Sequence, residues 1–374
     1  MATATAQLKH RWSVSHNYLA GITAGDWWRL LADNGFDVDA VYWHRAAVIT
    51  ALSLVNSAHR WRERRFDAAI AATPLAGPPV FVLGHWRSGT THLHNLLAQD
   101  TTHFAFANTY QVINPHTFLT TEALNTRLFA GLLPDKRPMD NMALSFDSPQ
   151  EDEFAPLLMT GLSPYLGVSF PRRDAAYAPY LSFRDASAED VEAWGRAFTW
   201  FLKKLTLKYG RRLVLKSPTH TARVRLLLKL FPDARFVHIH RHPYEVFQSF
   251  RHYYDTAMWF TYLQRPDLDA IDDQILRRYT AVHDALFADV PLIPPGQFHE
   301  VRYDDLERDP IAVLRGAYDV LALGDFSAVE PVIRAYLATL SGYEKNRFAP
   351  LETAWKARVA HEWRRSFERW GYRA

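Results

Sequence analysis

The stretch GHWRSGTTHLHNLL, residues 84–97, follows directly on the apolar run PPVFVLG, residues 78–84. A short apolar run closed by glycine is typical of a buried parallel strand, and the leucines of the second stretch recur at helical spacing. The pattern therefore predicts a strand, a loop and a helix in that order. Gly84 and Gly89 allow the loop backbone to approach a ligand closely, so that successive N–H groups and the positive end of the helix meet at one anion.

The loop departs at one position from a nucleotide-phosphate loop, Gly-x4-Gly-Lys-Ser/Thr. Thr90 stands where that loop has its lysine, and Arg87 supplies a cation three residues earlier. Ser88, Thr90 and Thr91 add hydroxyl donors. We expect the loop to hold a phosphate or a sulfate. The alternative is an ordinary glycine turn capped by threonine.

A second anion-binding pattern lies in RFVHIHRHPYEVFQS, residues 235–249. Alternation predicts a strand that ends near Arg241, at the edge where open α/β sheets bind ligands. Ser249 lies about two turns into the following helix, close enough to share a second phosphate with Arg241. The histidines of HIHRH form a metal-ligand pattern, but only His238 and His240 share a strand face. We therefore expect no metal site.

The rest of the chain repeats the alternation of strands and helices. RRLVLKSPTH (211–220) and FHEVRYDDL (298–306) are further strand patterns, each followed by a helical one. Such alternation indicates an α/β fold with a mostly parallel sheet and right-handed crossovers. We predict a P-loop-like parallel sheet flanked by helices in a main domain of residues 77–374. Residues 1–76 are predicted to form an N-terminal helical extension packed on it.

Together the two anion-binding patterns resemble the sulfotransferases that use 3′-phosphoadenosine 5′-phosphosulfate (PAPS). By this resemblance WRSGTT is the 5′-phosphosulfate loop with Arg87 at its basic position, and Arg241 and Ser249 bind the 3′-phosphate. Tyr303 then contacts the adenine, and the segment YEKNRF (343–348) approaches the 3′-phosphate. The donor-binding residues that the resemblance implies are Gly84, His85, Trp86, Arg87, Ser88, Gly89, Thr90, Thr91, Arg241, Ser249, Tyr303, Lys345, Asn346 and Arg347.

The resemblance covers roughly residues 78–350, is closest to the broad bacterial branch and implies an enzyme that releases adenosine 3′,5′-bisphosphate. A sulfuryl group in transfer carries less negative charge than a terminal phosphoryl group. Fixed arginine and lysine donors can then stabilise the transition state without Mg²⁺, so no metal is expected. Thr90 in the lysine position argues against a nucleotide kinase or NTPase. The intact cationic residues argue against a non-enzymatic peripheral-membrane protein.

Sulfuryl transfer to a hydroxyl needs a base that takes the acceptor's proton. His220 is one candidate, because it lies just past Lys216 at the end of a predicted strand. Cytosolic members of the family place a histidine two residues after the strand lysine, where this chain has Pro218. We expect His220 to be the base, and Arg87, Lys216 and Glu151 complete the candidate catalytic set.

Glu151 is the alternative base, since some branches of the family use a glutamate. The segment SPQE (148–151) also matches a helix capping box, which would give Glu151 a structural role. An inward position on that helix would instead bury its carboxyl group and raise the pKa. Asp152 and Glu153 are expected to face solvent.

The bulk composition excludes several classes of protein. The 374 residues include no cysteine, which excludes disulfides, thiolate metal sites and cysteine nucleophiles. A net charge of +3 is far from the dense basic stripe of a nucleic-acid binder. The opening residues carry no apolar signal, and the longest mostly apolar run (46–58) is shorter than the ~20 residues that span a bilayer. We therefore expect a cytoplasmic location.

The N-terminal aromatic residues have two interpretations. Five of them lie near an arginine cluster at residues 60–65: Trp27, Trp28, Tyr42, Trp43 and Trp61. One interpretation is a membrane-peripheral anchor, with tryptophans at the depth of the lipid headgroups and arginines on anionic lipid. The other is a helical cap or a contact between the subunits of a homodimer. We favour the second, because helical aromatic stripes usually lie in cores.

Residues 101–190 are rich in proline, tyrosine and phenylalanine and show few clear periods. Long irregular segments of α/β domains often line pockets. The aromatic content predicts a partly apolar site for a small-molecule acceptor: a lipophilic alcohol, a phenol, a sterol or a lipid. The candidate lining residues are Phe104, Tyr110, Phe118, Phe146, Phe154, Tyr165 and Phe170.

Overall fold

The computed structural model describes residues 8–129, 145–342, 345–346 and 348–374. Within them, five strands form one parallel sheet. They are β1 (Val80–Leu83), β2 (Phe104–Ala105), β3 (Arg212–Lys216), β4 (Arg235–His240) and β5 (Phe298–Arg302). Their spatial order is β2-β3-β1-β4-β5, with parallel pairing throughout. The predicted α/β class is confirmed.

Helices form the N-terminal extension and flank the sheet. Those of the extension are α1 (Ala24–Asp33), α2 (Trp43–Glu63) and α3 (Asp67–Ala72). Those between β1 and β3 are α4 (Thr90–Leu97), α5 (Thr109–Ile113), α6 (Phe118–Phe129), α7 (Phe154–Thr160), α8 (Leu166–Ser169), α9 (Asp174–Tyr177) and α10 (Ala188–Tyr209). Those after β3 are α11 (Val224–Leu230), α12 (Pro243–Thr256), α13 (Ile271–Asp289), α14 (Tyr303–Arg308), α15 (Pro310–Leu321), α16 (Phe326–Thr339), α17 (Thr353–Glu362) and α18 (Arg364–Trp370).

Strand β1 is buried on both faces, which explains its unbroken apolar sequence. Phe81 packs on one face of the sheet with Phe198 of α10 and Phe236 of β4. Val82 belongs to the cluster on the other face, together with residues of α4 and α15. The loop that follows β1 is therefore anchored between two packed layers.

The extension shares a core with the rest of the chain. Trp27 of α1 and Ile49 of α2 belong to one buried cluster with Phe250 of α12 and Tyr279 of α13. The boundary between 1–76 and 77–374 stays a prediction. The five N-terminal aromatic residues divide: Trp27 and Tyr42 are buried, whereas Trp28, Trp43 and Trp61 are exposed.

Arg45 of α2 joins the N-terminal segment to the turn after α12. Its side chain is only 1% exposed and donates to four backbone carbonyls at 2.8–2.9 Å. Two of these belong to His10 and Ser13, and two to Trp259 and Tyr262. Four charge-assisted hydrogen bonds offset the desolvation of the buried cation.

In the described part of the chain, no helix is both long enough and apolar enough to cross a membrane. The same residues contain no group of three histidine, cysteine or acidic side chains close enough to hold a metal ion.

Candidate active site

The loop of residues 84–89 joins β1 to α4 in a conformation that requires glycine twice. Gly84 and Gly89 have φ angles of 150° and 100°, in the region that side chains rarely tolerate. A Cβ atom on Gly84 would lie 2.6 Å from the carbonyl oxygen of Ile239, and one on Gly89 would overlap the ring of Tyr303. The loop therefore packs directly on β4 and α14.

Arg87 stands at the crest of this loop with a φ angle of 71°. Non-glycine residues rarely adopt this left-handed conformation, and such strain is concentrated at functional sites. Oγ of Ser88 donates to the carbonyl oxygen of His85 at 2.7 Å and fixes the turn. Thr90 is buried at the start of α4, and Thr91 is half-buried beside it. The backbone is thus preformed around the start of the helix.

The structure brings the two anion-binding motifs together at Arg87 and Ser249. Nε of Arg87 donates to Oγ of Ser249 at 3.0 Å, although the two residues are 162 positions apart. Ser249 is buried on α12, the helix that follows β4. Since β4 pairs with β1, both motifs meet at the carboxyl edge of neighbouring strands.

A second group of cations lies beside the loop. The guanidinium of Arg241 lies 4.3 Å from the centre of the Tyr303 ring and pairs with Glu245 at 2.6 Å. Nζ of Lys345 lies 5.9 Å from the same ring and pairs with Glu307 at 2.5 Å. Tyr303, which also packs on the loop, therefore connects both cations to it.

The side chain of His85 points into the core beneath the loop. The ring is buried against Phe250, Tyr279 and His283, with Nδ1 2.8 Å from the carbonyl oxygen of Trp86. Burial lowers the pKa of His85 to about 3, so the ring is neutral at ordinary pH. The ring is therefore placed in the core, where its contact with the carbonyl of Trp86 supports the loop backbone.

Three further residues were predicted to contact the donor: Trp86, Asn346 and Arg347. The indole Nε1 of Trp86 donates to the hydroxyl of Tyr165 at 3.0 Å. Asn346 is half-buried. Arg347 lies outside the described residues.

Two donors hold the carboxylate of Glu151. Nζ of Lys216, at the end of β3, lies 2.9 Å from Oε1, and the hydroxyl of Tyr165 donates to Oε2 at 2.5 Å. Lys216 is buried, whereas the side chain of Glu151 remains 14% exposed. Burial, followed by the charge of Glu151, raises the pKa of Tyr165 well above its ordinary value, so its hydroxyl stays protonated and donates.

The segment around Glu151 differs from the sequence prediction. Helix α7 starts only after Glu153, so SPQE forms no capping box. Asp152 and Glu153, expected at the surface, are fully buried. Glu153 accepts from Nη2 of Arg223 at 2.9 Å, and its backbone N–H donates to Oγ of Ser217 at 2.9 Å. These long-range bonds replace the local bonds of a cap and fix the backbone that carries Glu151.

His220 is fully buried below the site. Its Nε2 lies 2.5 Å from Oδ2 of Asp152, and its ring packs against Phe81 and Phe198. Burial opposes the ionisation of Asp152, yet the neighbouring His220 brings the pKa of that carboxyl below its ordinary value. A ring enclosed by the core has no path to an acceptor. The burial of His220 therefore makes Glu151 the stronger candidate for the base.

Replacing His220 by alanine is expected to destabilise the protein by about 3–5 kcal/mol, because Asp152 is left buried without its partner. Unfolding in urea measures this loss. Turnover per folded molecule should stay within about tenfold of wild type, since the side chain does not touch the acceptor. A stable but inactive variant would return the role of base to His220.

The stability that Asp152 provides has a predictable dependence on pH. Its pKa is lower in the folded protein than in the unfolded chain, so the contribution is complete above the ordinary pKa of an aspartate. It disappears as the pH falls towards the folded value. Unfolding free energies measured on acidification should therefore fall less steeply for Asp152→Asn than for wild type.

A cavity of about 340 Å³ adjoins Glu151. Glu151 and Trp86 both line it. Four of the aromatic residues predicted for the acceptor site also line it: Tyr110, Phe146, Phe154 and Tyr165. Three others are buried in the core instead: Phe104, Phe118 and Phe170. The aromatic character of the site was predicted, but only part of its lining.

Two walls of the cavity were not predicted. Residues 16–18 of the extension form one, and Tyr253, Met258 and Phe260 in and after α12 form another. Arg278 of α13 adds a mostly buried guanidinium to the same lining. Nothing in the local sequence marks these residues, because only the tertiary packing of separate segments brings them to one space.

The cavity and the anion loop are neighbours. Tyr253 lines the cavity, and its ring centre lies 5.9 Å from the guanidinium carbon of Arg87. Trp86, in the loop itself, lines the cavity directly. A carboxylate facing an apolar cavity, with a cationic loop beside it on an α/β sheet, is an arrangement that suits a group-transfer enzyme.

The chain belongs to the sulfotransferase family, as the resemblance implied. The model of the sulfotransferase family matches residues 78–327. The chain is 38% identical over 354 residues to the omega-hydroxy-beta-dihydromenaquinone-9 sulfotransferase Stf3 of Mycobacterium bovis and to the protein of the same name from Mycobacterium tuberculosis. These alignments cover 94% of this chain and 90% of each relative. The protein is therefore an enzyme of the sulfotransferase class.

Solved structures of mycobacterial sulfotransferases share the fold. The crystal structure of sulfotransferase STF9 from Mycobacterium avium aligns with a TM-score of 0.68 over 93% of this chain and 97% of its own, at 18% identity. That of STF1 from Mycobacterium tuberculosis aligns with a TM-score of 0.63 over 91% of both chains, also at 18% identity. At this identity the likeness shows the fold alone, and it confirms the P-loop-like sheet.

Proposed function

We propose that the enzyme moves the sulfuryl group of PAPS to a hydroxyl group of a lipophilic acceptor. The observation that carries this proposal is the position of Glu151, whose carboxylate lines an aromatic cavity together with Trp86 of the anion loop. A proton acceptor, an apolar space for the acceptor and a cationic loop for the donor thus adjoin one another.

The donor side has the features that a molecule with two phosphate groups requires. Gly84 and Gly89 let the loop pack closely on β4 and α14, and the backbone N–H groups at the start of α4 together with Arg87 would hold the 5′-phosphosulfate. Arg241 and Ser249 would hold the 3′-phosphate, with Arg241 exchanging its carboxylate partner for the phosphate.

The nucleoside end of the donor is assigned to the surface around Tyr303. Its ring lies between the loop and the guanidinium of Arg241, and this position beside both phosphate sites suits contact with the adenine. Lys345, Asn346 and Arg347 are proposed to approach the 3′-phosphate. Lys345 supports this assignment, because its Nζ lies 5.9 Å from the Tyr303 ring.

PAPS supplies an activated sulfuryl group when it is bound. Glu151 would take the proton from the acceptor hydroxyl, because each of its oxygens accepts one observed hydrogen bond and keeps further lone-pair capacity. Tyr165 and Lys216 fix the orientation of the carboxylate. Arg87 and Lys216 provide positive charge near the reacting centre, where preorganised donors stabilise a transition state more than water does.

The acceptor is proposed to be a lipophilic alcohol. The cavity lies within the range of small-molecule sites, roughly 300–1,000 Å³, and is lined mainly by aromatic and aliphatic side chains. The relatives from Mycobacterium bovis and Mycobacterium tuberculosis are named for a hydroxylated dihydromenaquinone. Alcohols of the isoprenoid-quinone type are therefore the first acceptors to test.

Adenosine 3′,5′-bisphosphate is expected to raise the melting temperature of the enzyme. A ligand at 100 times its Kd stabilises the folded state by about 2.7 kcal/mol. Differential scanning fluorimetry measures the shift. ATP with Mg²⁺ serves as the comparison and should give little stabilisation, because Thr90 replaces the loop lysine. Stabilisation by ATP with Mg²⁺ alone would contradict the proposed donor.

The acceptor can be identified by incubating the enzyme with ³⁵S-labelled PAPS and a lipid extract. A labelled lipid product that depends on Glu151 would support the proposal. Labelling confined to the aqueous fraction would contradict a lipophilic acceptor while leaving the donor assignment intact.

A further inference from the structure

The face of α2 that turns towards the protein is largely polar, although Ile49 lies in the core. Besides Arg45, it includes Asn56, which donates to the carbonyl oxygens of Ala20 and Ile22 at 2.8 and 3.0 Å. Glu63 is buried at the end of the helix and pairs with Lys204. Hydrogen bonds and ion pairs, rather than an apolar stripe, thus attach much of this helix to the protein.

The outward face of α2 is apolar. Residues recurring at intervals of three or four positions form an exposed stripe, which we call the α2 stripe: Trp43, Ala47, Ala51, Leu54, Val55, Ala58 and Trp61. At 100° per residue these positions cover about 120° of the helix surface. Trp43 and Trp61 are 64% and 71% exposed. A helix on the surface of a soluble domain normally has the opposite arrangement.

The apolar surface continues from α2 onto α6. Trp61 of α2 and Leu124 of α6 line a groove of about 620 Å³ whose other lining residues are polar or basic. Leu124 and Leu128 are themselves more than 60% exposed, at 62% and 64%. The patch is therefore wider than a single helix and exceeds a scatter of isolated apolar side chains.

Cations flank one end of the α2 stripe. Arg62, Arg64 and Arg65 are exposed, and within the described ranges none of the three forms an ion pair with a carboxylate. Arg60, by contrast, forms an ion pair with Asp67. The stripe itself carries no acidic residue, so the surface combines apolar side chains with positive charge and is complementary to anionic lipid.

We propose that the α2 stripe docks the enzyme on the surface of an anionic membrane. The helix would lie in the plane of the interface, with Trp43 and Trp61, about 27 Å apart along its axis, at the depth of the headgroups. Arg62, Arg64 and Arg65 would contact lipid phosphates. The inference rests on this surface alone and does not depend on the identity of the acceptor.

The helix that would contact the membrane is also bonded to a wall of the acceptor cavity. Asn56, on the inward side of α2, bonds to the backbone of Ala20, and both Ala20 and residues 16–18 line the cavity. The segment that contacts the membrane is thus attached to one wall of the site.

Flotation with lipid vesicles tests the proposal. The full-length enzyme should float with vesicles of equal parts phosphatidylglycerol and phosphatidylcholine, and much less with phosphatidylcholine alone. Replacing Arg62, Arg64 and Arg65 together by glutamine should weaken binding to the anionic vesicles roughly 100-fold. The double variant Trp43→Ala, Trp61→Ala should weaken binding to both kinds of vesicle.

Val320 and Val332 provide a matched control, because they are exposed apolar residues on α15 and α16. Replacing both by alanine should leave flotation unchanged. Equal melting temperatures would show that all variants are folded. Wild-type enzyme that stays unbound, or that forms a dimer in solution which the double tryptophan variant disrupts, would overturn the proposal and identify the α2 stripe as a subunit interface.

Discussion

Glu151→Gln is expected to lower kcat by roughly 10²–10⁴, the usual contribution of a positioned general base. Glutamine keeps the size of the side chain and an oxygen that accepts from Lys216 or Tyr165, but it cannot take the acceptor's proton. Initial rates with labelled PAPS and an unsulfated lipid alcohol as the acceptor measure the loss. The Kd for adenosine 3′,5′-bisphosphate, measured by calorimetry, should change little.

Glu122→Gln is a matched control for this variant. Glu122 is also a largely buried carboxylate that pairs with a lysine, Lys208, and accepts hydrogen bonds from amide groups, but it lies outside the lining of the cavity. Its replacement should cost stability without a comparable loss of turnover. Equal turnover in Glu151→Gln and wild type would exclude Glu151 as the base.

Arg87→Ala is expected to lower kcat by about 10²–10³, because a preorganised charge beside the reacting group is lost. Some affinity for adenosine 3′,5′-bisphosphate should remain, since the glycines, Thr90 and Arg241 are unchanged. Single-turnover rates and calorimetry separate the two effects. Near wild-type turnover in this variant would contradict the catalytic role of Arg87.

Arg241→Ala is expected to affect binding of the donor rather than turnover, in contrast to Arg87→Ala. Arg241 lies against the Tyr303 ring and is assigned to the 3′-phosphate, so its loss should raise the Kd for adenosine 3′,5′-bisphosphate. kcat at saturating PAPS should stay close to wild type. If both variants lowered kcat alike with no change in Kd, the division between the two phosphate positions would be wrong.

The elements that carry the anion site could be predicted because each is encoded locally. Strand β1, the glycines at its end and the start of α4 are consecutive in sequence, and Arg241 and Ser249 share one strand–helix unit. The proximity of these two strand–helix units could also be predicted, because ligands bind at the carboxyl ends of parallel strands. Strand β2, with only two residues, offered no period to detect.

The sequence alone could not favour one candidate base over the other, because the argument for Glu151 rests on burial. His220 is near Lys216 along the chain, and Glu151 is near it in space. Only the packed structure shows that His220 is enclosed by the core and that Glu151 lines the cavity. The buried partners of Asp152 and Glu153 lie 68 and 70 positions away. No local pattern distinguishes such pairs from acidic residues on a surface.

The four carbonyl bonds of Arg45 have a consequence for exchanging acceptor preference between related enzymes. They attach residues 10–13 to the turn at 259–262, and the segments next to both contribute to the cavity. A chimera that exchanges only the first 76 residues would replace Arg45 and residues 10–13 but keep the original turn at 259–262. Acceptor preference should therefore be transferable only when the extension and the turn after α12 are grafted as a unit.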